Sequence, residues 1–520
     1  MSRAKKNSGG ASKDAPQGAM QKILDVVERV GNKVPHPALI FLGLIALVIV
    51  LAHVLSLMGT SVTYQQINAA TQSVDTVTTR AQTLLNVEGI RFMYTSLIPS
   101  FMGFTAVGLM IVAMVGAGVA EESGLVKALI RKLVIVSPPK ALTYILVFAG
   151  ILSSVAADAG YLVLIPLAGI AFISIGRHPL AGLAAGFASV AGAFTVNMLI
   201  KPLDAVLTEF TNDAIHLVNP AISIDLTANL WFSIVSVLFL TVVITLITER
   251  IIEPRLGEYK GEKPKDAEEA RLTAAESRGL LFAFLGLIGV LAVFAILTLP
   301  AWAPLRNPTT GAIVGNSPFM NGLIAVIMIL FLVTGAAYGY GAGTIKSVND
   351  IIKAMEKSIG NLGSLIFLLL IISQFIAYFN YTNMATILAV KMADGLKGAN
   401  IGPLWLLIGF IVVVAILDLL ITGAIAKWAI FAPVFVPVFV QLKIAPEAVL
   451  AAYRIADSPV NMITPLNAYF VMVVAFAQKY EKNAGVGTLV ALMLPYVVGI
   501  FACWTALFVV WYLLGLPWGL

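Results

Sequence analysis

A chain of 520 residues, 59% of them hydrophobic and only 12% charged, is not a water-soluble globular protein, whose charged share runs near a quarter; its many long apolar runs make it a polytopic membrane protein. The formal charge of +6 follows membrane topology, as the distribution of basic residues shows, and is no nucleic-acid footprint. The single cysteine, Cys503, excludes an internal disulfide and a Cys/His zinc pattern.

Residues 1–20 are polar, rich in Ser, Gly and Lys, with no cleavage site after an apolar core; they read as a disordered cytoplasmic tail and not as a signal peptide. Residues 21–34 suit a short amphipathic helix at the interface. Apolar spans follow at 36–57, 97–117, 141–175, 179–217, 228–250, 279–300, 318–340, 360–381, 402–440, 446–480 and 487–515. A polar outside loop occupies 59–95. A charged cytoplasmic linker, 251–277, divides a first membrane half, 21–250, from a second, 278–520. Neither polar piece is long enough for an enzyme domain.

About 20 residues cross the hydrocarbon as a helix, so 141–175 and 402–440 are too long for one crossing. Each has small or polar residues at its centre, Ser153-Ser154 to Asp158-Ala159-Gly160 in the first and Thr422-Gly423 to Lys427 in the second. Both suit re-entrant helical hairpins. The fold class is therefore an all-α polytopic membrane protein with nine transmembrane helices plus two re-entrant hairpins. With the N-terminus inside, the cytoplasmic segments carry 24 of the 33 basic residues and the outside segments six, Arg80, Arg91, Arg306, Lys391, Lys397 and Lys443. That inward bias obeys the positive-inside rule. Under it the hairpins enter from opposite sides, as an inverted-topology repeat requires.

A repeated phrase supports the same arrangement. Asn197-Met198 leads through three residues to Pro202-Leu203-Asp204-Ala205, and Asn461-Met462 through two residues to Pro465-Leu466-Asn467-Ala468. Upstream, Pro166 precedes Pro179 by 13 residues and Pro433 precedes Pro446 by 13; Tyr161 and Trp428 each lie five residues before the first proline of their pair. Proline removes a donor and clashes with the preceding turn, and freed backbone groups in lipid need protein, water or solute partners. Matched breaks in the spans 179–217 and 446–480, at Pro202, Pro446 and Pro465, point to a transporter's midplane site.

Ionisable residues inside a membrane are functional candidates by default. Asp158 lies at the tip of the first hairpin and Lys427 at the tip of the second, where it either faces the site or snorkels to water. Asp204 follows the first broken phrase, three residues after Lys201. Arg454 and Asp457 precede the second, also spaced i,i+3 on one helical face. Each such pair either neutralises itself, or its carboxylate titrates or coordinates a cation; in the second case Arg454 tunes Asp457 or holds an anion. Asp418 reads as a residue near an interface. Asn197, Asn461, Thr464 and Asn467 either cap half-helices or, with unwound carbonyls, form a cage for Na+ or substrate. Trp428 either packs or stacks on an aromatic solute.

The stretches Ala157-Asp158-Ala159-Gly160-Tyr161, Ala426-Lys427-Trp428, Ala452-Tyr453-Arg454-Ile455-Ala456-Asp457-Ser458 to Ile463-Thr464-Pro465, Gly176-Arg177-His178-Pro179-Leu180-Ala181-Gly182-Leu183-Ala184 and Ala484-Gly485-Val486-Gly487-Thr488 resemble the AbgT family. The resemblance covers nearly the whole membrane region. It implies a bacterial inner-membrane transporter of p-aminobenzoyl-glutamate, with export of sulfonamide antimetabolites known among members, assembled as a homodimer. It also implies important aspartates at Asp204 and Asp457, a tryptophan at Trp428, an arginine at Arg454 and helix-breaking prolines at Pro446 and Pro465. The chain departs from the family at Ile425, where a functional serine would fall; Thr422 is the nearest hydroxyl in that tip.

The resulting expectation is an ion-coupled secondary transporter of an aromatic anion. Trp428 would take the ring, with Arg454, Lys427, Asn461 and Asn467 around the solute. Asp204, Asp457, Asp158 and Asn197 would serve the coupling ion. No nucleotide-binding loop is present, so ATP is not the direct energy source; H+ or Na+ is the coupling ion, and no cofactor is expected. A dicarboxylate or short-chain acid carrier of the same architecture is the nearest rival; a channel or an intramembrane aspartyl protease fits less well.

The topology has a direct check. On a Cys503→Ala background, Arg177→Cys is expected to label only from the inside and Lys443→Cys only from the outside. Labelling of both from one side would overturn the inverted arrangement.

Overall fold

The computed structural model describes residues 36–67, 74–135, 137–155, 160–259, 261, 272–314, 317–398, 401–419, 423–464, 466–467 and 469–520. The tail 1–20, the helix expected at 21–34, residues 260 and 262–271 of the linker 251–277, and the residues Asp158, Thr422 and Pro465 lie outside the described residues.

The first half runs from α1 (Pro37–Leu57) through strands β1 (Ser61–Ile67) and β2 (Val74–Arg80) to helices α2 (Val87–Thr95), α3 (Leu97–Met102), α4 (Thr105–Glu122), α5 (Leu125–Ile135), α6 (Leu142–Leu152), α7 (Ile165–Ser174), α8 (Pro179–Ala191) and α9 (Pro202–His216). It ends with α10 (Leu230–Leu256), which passes through a π turn at Thr248–Ile252. The second half comprises α11 (Ala274–Thr298), α12 (Leu323–Ala342), α13 (Val348–Asn361), α14 (Gly363–Tyr381), α15 (Met384–Gly398), α16 (Pro403–Asp418), α17 (Ala424–Gln441), α18 (Pro446–Asp457), α19 (Phe470–Gln478) and α20 (Val486–Leu513).

Among the described residues 8 helices are long and apolar enough to cross a membrane. Seven of these, α1, α4, α10, α11, α12, α14 and α20, fall on expected single crossings, and the eighth, α17, is the second arm of 402–440. The segments 179–217 and 446–480 run instead as pairs of half-helices, α8 with α9 and α18 with α19.

Three details differ from the sequence reading. The segment 59–95 is not all loop: β1 and β2 form an antiparallel ribbon registered Ser61 to Arg80. Their Val, Thr and Tyr residues favour strand, and Val62 and Ala81 bury against Ile387 and Val390 of α15. The crossing expected at 97–117 begins only at Thr105 and runs to Glu122, because Gly103 ends α3 and Phe104 is extended at the helix start. Finally, Pro202 and Pro446 stand at the first turn of α9 and α18. There the missing N–H costs nothing and the fixed φ suits the helix, so they start helices and do not break them. The second break follows Asp457, through a 3-10 turn at Pro459–Met462.

The packing has a repeat. In the first half α6 and α7 both pack on α8; in the second, α16 and α17 both pack on α18. The long helices α10 and α20 pack on each other, and α9 of the first half packs along α17 of the second. On the cytoplasmic side assigned by the basic-residue count, Arg177, between α7 and α8, binds Glu253 of α10 through Nε at 2.6 Å and Nη2 at 2.5 Å.

Around this core α4, α11 and α12 pack through small residues, which let membrane helices approach closely. A Cβ on Gly335 of α12 would sit 2.6 Å from the Ala120 Cα, and one on Gly116 of α4 would sit 2.2 Å from the Met328 carbonyl oxygen. Gly335→Val is expected to destabilise the fold by about 1–3 kcal/mol through overpacking, seen as a lower melting temperature in detergent, whereas Gly289→Val, at a glycine with open space around it, should leave it nearly unchanged.

Candidate substrate and ion site

Six charged side chains are buried among the described residues: Lys201, Asp204, Asp418, Lys427, Arg454 and Asp457. They are three cations and three carboxylates, and all lie at or near helix ends. Taking an ion out of water costs several kcal/mol even after relaxation, so how these charges are paired dominates the site.

Arg454, at the end of α18, does not pair with Asp457. It reaches across to the first repeat, where its Nη1 donates to Asp204 Oδ1 and to the Thr195 carbonyl, both at 2.6 Å. Its Nε donates to Asn229 Oδ1 at 3.1 Å. The first break answers in kind: Thr195 Oγ1 donates to the Arg454 carbonyl at 2.9 Å, and the Ser458 hydroxyl accepts from the Thr195 N–H at 3.1 Å. The two breaks are thereby fastened to each other.

Asp204 does not pair with the Lys201 ammonium either. Asp204 Oδ2 accepts the Lys201 backbone N–H at 2.9 Å, closing the N-terminus of α9 and meeting the positive end of the helix dipole. The Lys201 ammonium turns to the Ser154 hydroxyl at 3.2 Å and to the Phe194 carbonyl. On a helix i,i+3 residues share a face; here each pair lies at a helix end, Lys201 capping α9 and Asp457 closing α18, where residues of other helices come within reach and longer-range partners win.

The second cluster is wholly enclosed. Lys427, in the first turn of α17, lies between Asp418 at the end of α16 and Asp457 at the end of α18, with Nζ 2.6 Å from Asp457 Oδ1 and in contact with Asp418. All three side chains are 0% exposed, so Lys427 does not snorkel. The Tyr453 hydroxyl sits 3.1 Å from Asp457 Oδ1 and 2.5 Å from the Ala424 carbonyl. Asp418, read from sequence as an interface residue, is therefore part of the site. The available signal was its position in the same overlong apolar span as Lys427, where those two are the charged residues.

Trp428 is also fully buried. Its Nε1 donates to the Leu207 carbonyl at 3.1 Å and Thr211 Oγ1 at 3.0 Å of α9, and its ring lies on Tyr453 with centroids 4.4 Å apart. In this conformation the indole packs the two repeats together. The aromatic pair nearer the breaks is Tyr161 on Tyr469, stacked at 4.2 Å across the repeats, which sequence reasoning did not single out as a pair.

The neutral polar residues end helices. Asn197 Nδ2 donates to the Leu152 carbonyl at 3.0 Å and to Ser154 Oγ at 3.0 Å, beyond the end of α6. Asn461 Nδ2 donates to the Asp457 carbonyl at 3.0 Å, Asn467 Nδ2 to the Asn461 carbonyl at 2.9 Å, and Thr464 Oγ1 to the Leu419 carbonyl at 3.4 Å. Among the described residues no hydrogen bond joins Asn197 to Asn461 or Thr464, so the three do not form one hydrogen-bonded set. Nor do these residues contain a His/Cys/Asp/Glu group suited to a metal ion.

Removing one partner of a buried pair leaves an uncompensated charge and costs about 3–5 kcal/mol. Arg454→Gln is accordingly expected to lower the melting temperature sharply, and adding Asp204→Asn should recover part of the loss. Additive losses in the double variant would mean that the two residues are not coupled.

The AbgT transporter family model matches residues 22–520. The p-aminobenzoyl-glutamate transport protein of Escherichia coli (strain K12) is 33% identical over 498 residues, covering 96% of each chain. The Alcanivorax borkumensis YdaH transporter, whose crystal structure was described as having an unusual topology, superposes with a TM-score of 0.87 at 40% identity, covering 94% of this chain and 100% of that one. Neisseria gonorrhoeae MtrF, described within a class of antimetabolite efflux pumps, superposes at 0.89 with 37% identity, covering 94% and 97%. The paired breaks and their buried charges thus sit in a multi-pass membrane transporter and not an enzyme: the chain belongs to the AbgT transporter family.

Proposed function

We propose that this protein is an ion-coupled secondary transporter of p-aminobenzoyl-glutamate or related aromatic anions in the bacterial inner membrane, with a cytoplasmic N-terminus and a homodimeric assembly. The observation that carries the reading is the balance of three buried cations against three buried carboxylates at the two breaks. An anionic solute that draws Arg454 away from Asp204, or Lys427 away from Asp418 and Asp457, leaves a carboxylate without its partner in a low-dielectric core. A cation, H+ or Na+, must then arrive to offset it. Anion and cation binding are thereby linked, which is the thermodynamic content of coupling.

The helix ends and side-chain amides of Asn461 and Asn467 supply the neutral contacts, and half-helix N-termini favour carboxylates. Asn197 joins the same assembly through Ser154 and the end of α6, and Asp158 is the further candidate for the coupling ion. Trp428 meets the solute ring only in a conformation that opens the contact between α9 and α17, with the hairpins acting as the re-entrant gates of an alternating cycle. The name of the Escherichia coli relative supports the substrate, and the likeness to MtrF supports a second class of cargo, sulfonamide-type antimetabolites carried outward.

Purified protein in proteoliposomes, given labelled p-aminobenzoyl-glutamate with Na+ and pH gradients imposed separately, is expected to accumulate it against one gradient. Asp204→Asn and Asp457→Asn should abolish driven accumulation; Asp457→Asn, in which Lys427 keeps Asp418, should stay folded by thermal melt, and Asp204→Asn, which leaves Arg454 without its carboxylate, is measured together with its melting temperature. Gradient-independent equilibration would indicate a channel, and preferential accumulation of glutarate an aliphatic diacid carrier. Trp428→Ala should weaken p-aminobenzoyl-glutamate more than glutarate, since an aromatic contact is worth ~0.5–1.5 kcal/mol beyond area burial; equal losses would assign the indole to packing alone.

A further inference from the structure

Every fully buried carboxylate of the core has a partner, but α9 also carries two acidic side chains that do not. Glu209 and Asp213 are one turn apart and half-buried, and among the described residues neither has an ion-pair or hydrogen-bond partner. They lie on the side of α9 opposite Leu207 and Thr211, which receive Trp428, because an offset of two residues is a rotation of about 200° at 3.6 residues per turn. Asp213 opens into a cavity of about 500 Å³ between α9, the end of α14 and the α2–α3 segment. Its walls include Phe92, Phe104, Ser373, Asn380 and Tyr381.

The chemistry of this cavity is distinct from that of the core. No Lys, Arg or His lines it, so an anionic solute finds only repulsion from Asp213. Its rings are pre-set: Phe92 stacks on Tyr381 at 4.2 Å, and Phe104 on Phe210 at 5.3 Å. An acidic group with aromatic walls recognises a cation by ion pairing together with ring-face attraction, and the volume falls in the range of small-molecule pockets. A carboxylate left without a partner within a membrane protein is costly unless it meets water, a proton or a ligand.

We propose that the Asp213 cavity is a second binding site, for small aromatic organic cations bearing a protonated amine. Asp213 pairs with the ammonium, and Phe92, Phe104 and Tyr381 enclose the ring. The site does not depend on the substrate reading above, because it shares no residue with the buried charge cluster. By the basic-residue topology it opens toward the outer face, at the end of α14 that adjoins the β-ribbon through the Gln82 N–H bond to the Thr382 carbonyl.

The test is calorimetric titration of the full-length protein in nanodiscs with phenethylammonium and with 3-phenylpropionate, a near-isosteric anion. Phenethylammonium is expected to bind saturably and 3-phenylpropionate not to bind at this site. Asp213→Asn should weaken phenethylammonium at least tenfold, while Asp213→Glu retains most of the affinity. Tyr381→Leu, which keeps the carboxylate and removes a wall, should weaken it several-fold and provides the test if Asp213→Asn does not fold. Saturating p-aminobenzoyl-glutamate should leave phenethylammonium binding in place. Unchanged affinity in Asp213→Asn, equal binding of the two probes, or displacement by p-aminobenzoyl-glutamate would each overturn the assignment. Failure of gradient-driven flux would not bear on it.

Discussion

The core of this transporter depends on keeping six charges out of water while giving each a charged or polar partner. Burial of a single ion costs several kcal/mol, and only a well-placed partner offsets it. Lys427 is held by Asp418 and Asp457, Arg454 by Asp204, and Lys201 by Ser154 and the Phe194 carbonyl. Because the Arg454 bonds cross from one repeat to the other, the two breaks are energetically one unit. A solute or ion that alters one pairing changes the cost of the rest.

The remaining features of the core follow from the same constraint. Broken helices expose carbonyl and N–H groups that lipid cannot satisfy. Asn197 takes carbonyls at the end of α6, and Thr464 takes Leu419 past α16. The two residues perform corresponding tasks in the two repeats. Trp428 closes the seam between α9 and α17 while satisfying its own N–H. The peripheral helices α4, α11 and α12 contribute no buried charge among the described residues and are held by close packing at small residues. Close packing at small residues distinguishes the periphery from a core that carries the buried charges.

Much of this was legible in the chain. Apolar runs long enough to cross a bilayer located α1, α10, α11, α12, α14 and α20 within a few residues, since span length is dictated by hydrocarbon thickness. The doubled Asn-Met phrases and proline spacings marked both irregular segments, because helix interruption is a local property. Proline was misjudged in detail: Pro202 and Pro446 open helices, as a first-turn residue does. The β-ribbon was missed because an apolar scan does not look for strands in a short polar segment.

By itself the sequence determined the membrane class, the family resemblance, the positions of the breaks and the six buried charges as candidates by default, Asp418 being set aside as an interface residue. These are matters of composition and local spacing. Only the tertiary structure decided who pairs with whom. The i,i+3 spacing made Arg454–Asp457 and Lys201–Asp204 natural partners, yet the folded chain joins Arg454 to Asp204, 250 residues away, and Lys427 to Asp457 and to Asp418, which the sequence placed near an interface. Partner choice inside a low-dielectric core is set by which helix ends converge. That convergence arises from the packing of the two repeats and leaves no trace in the spacing of residues along the chain.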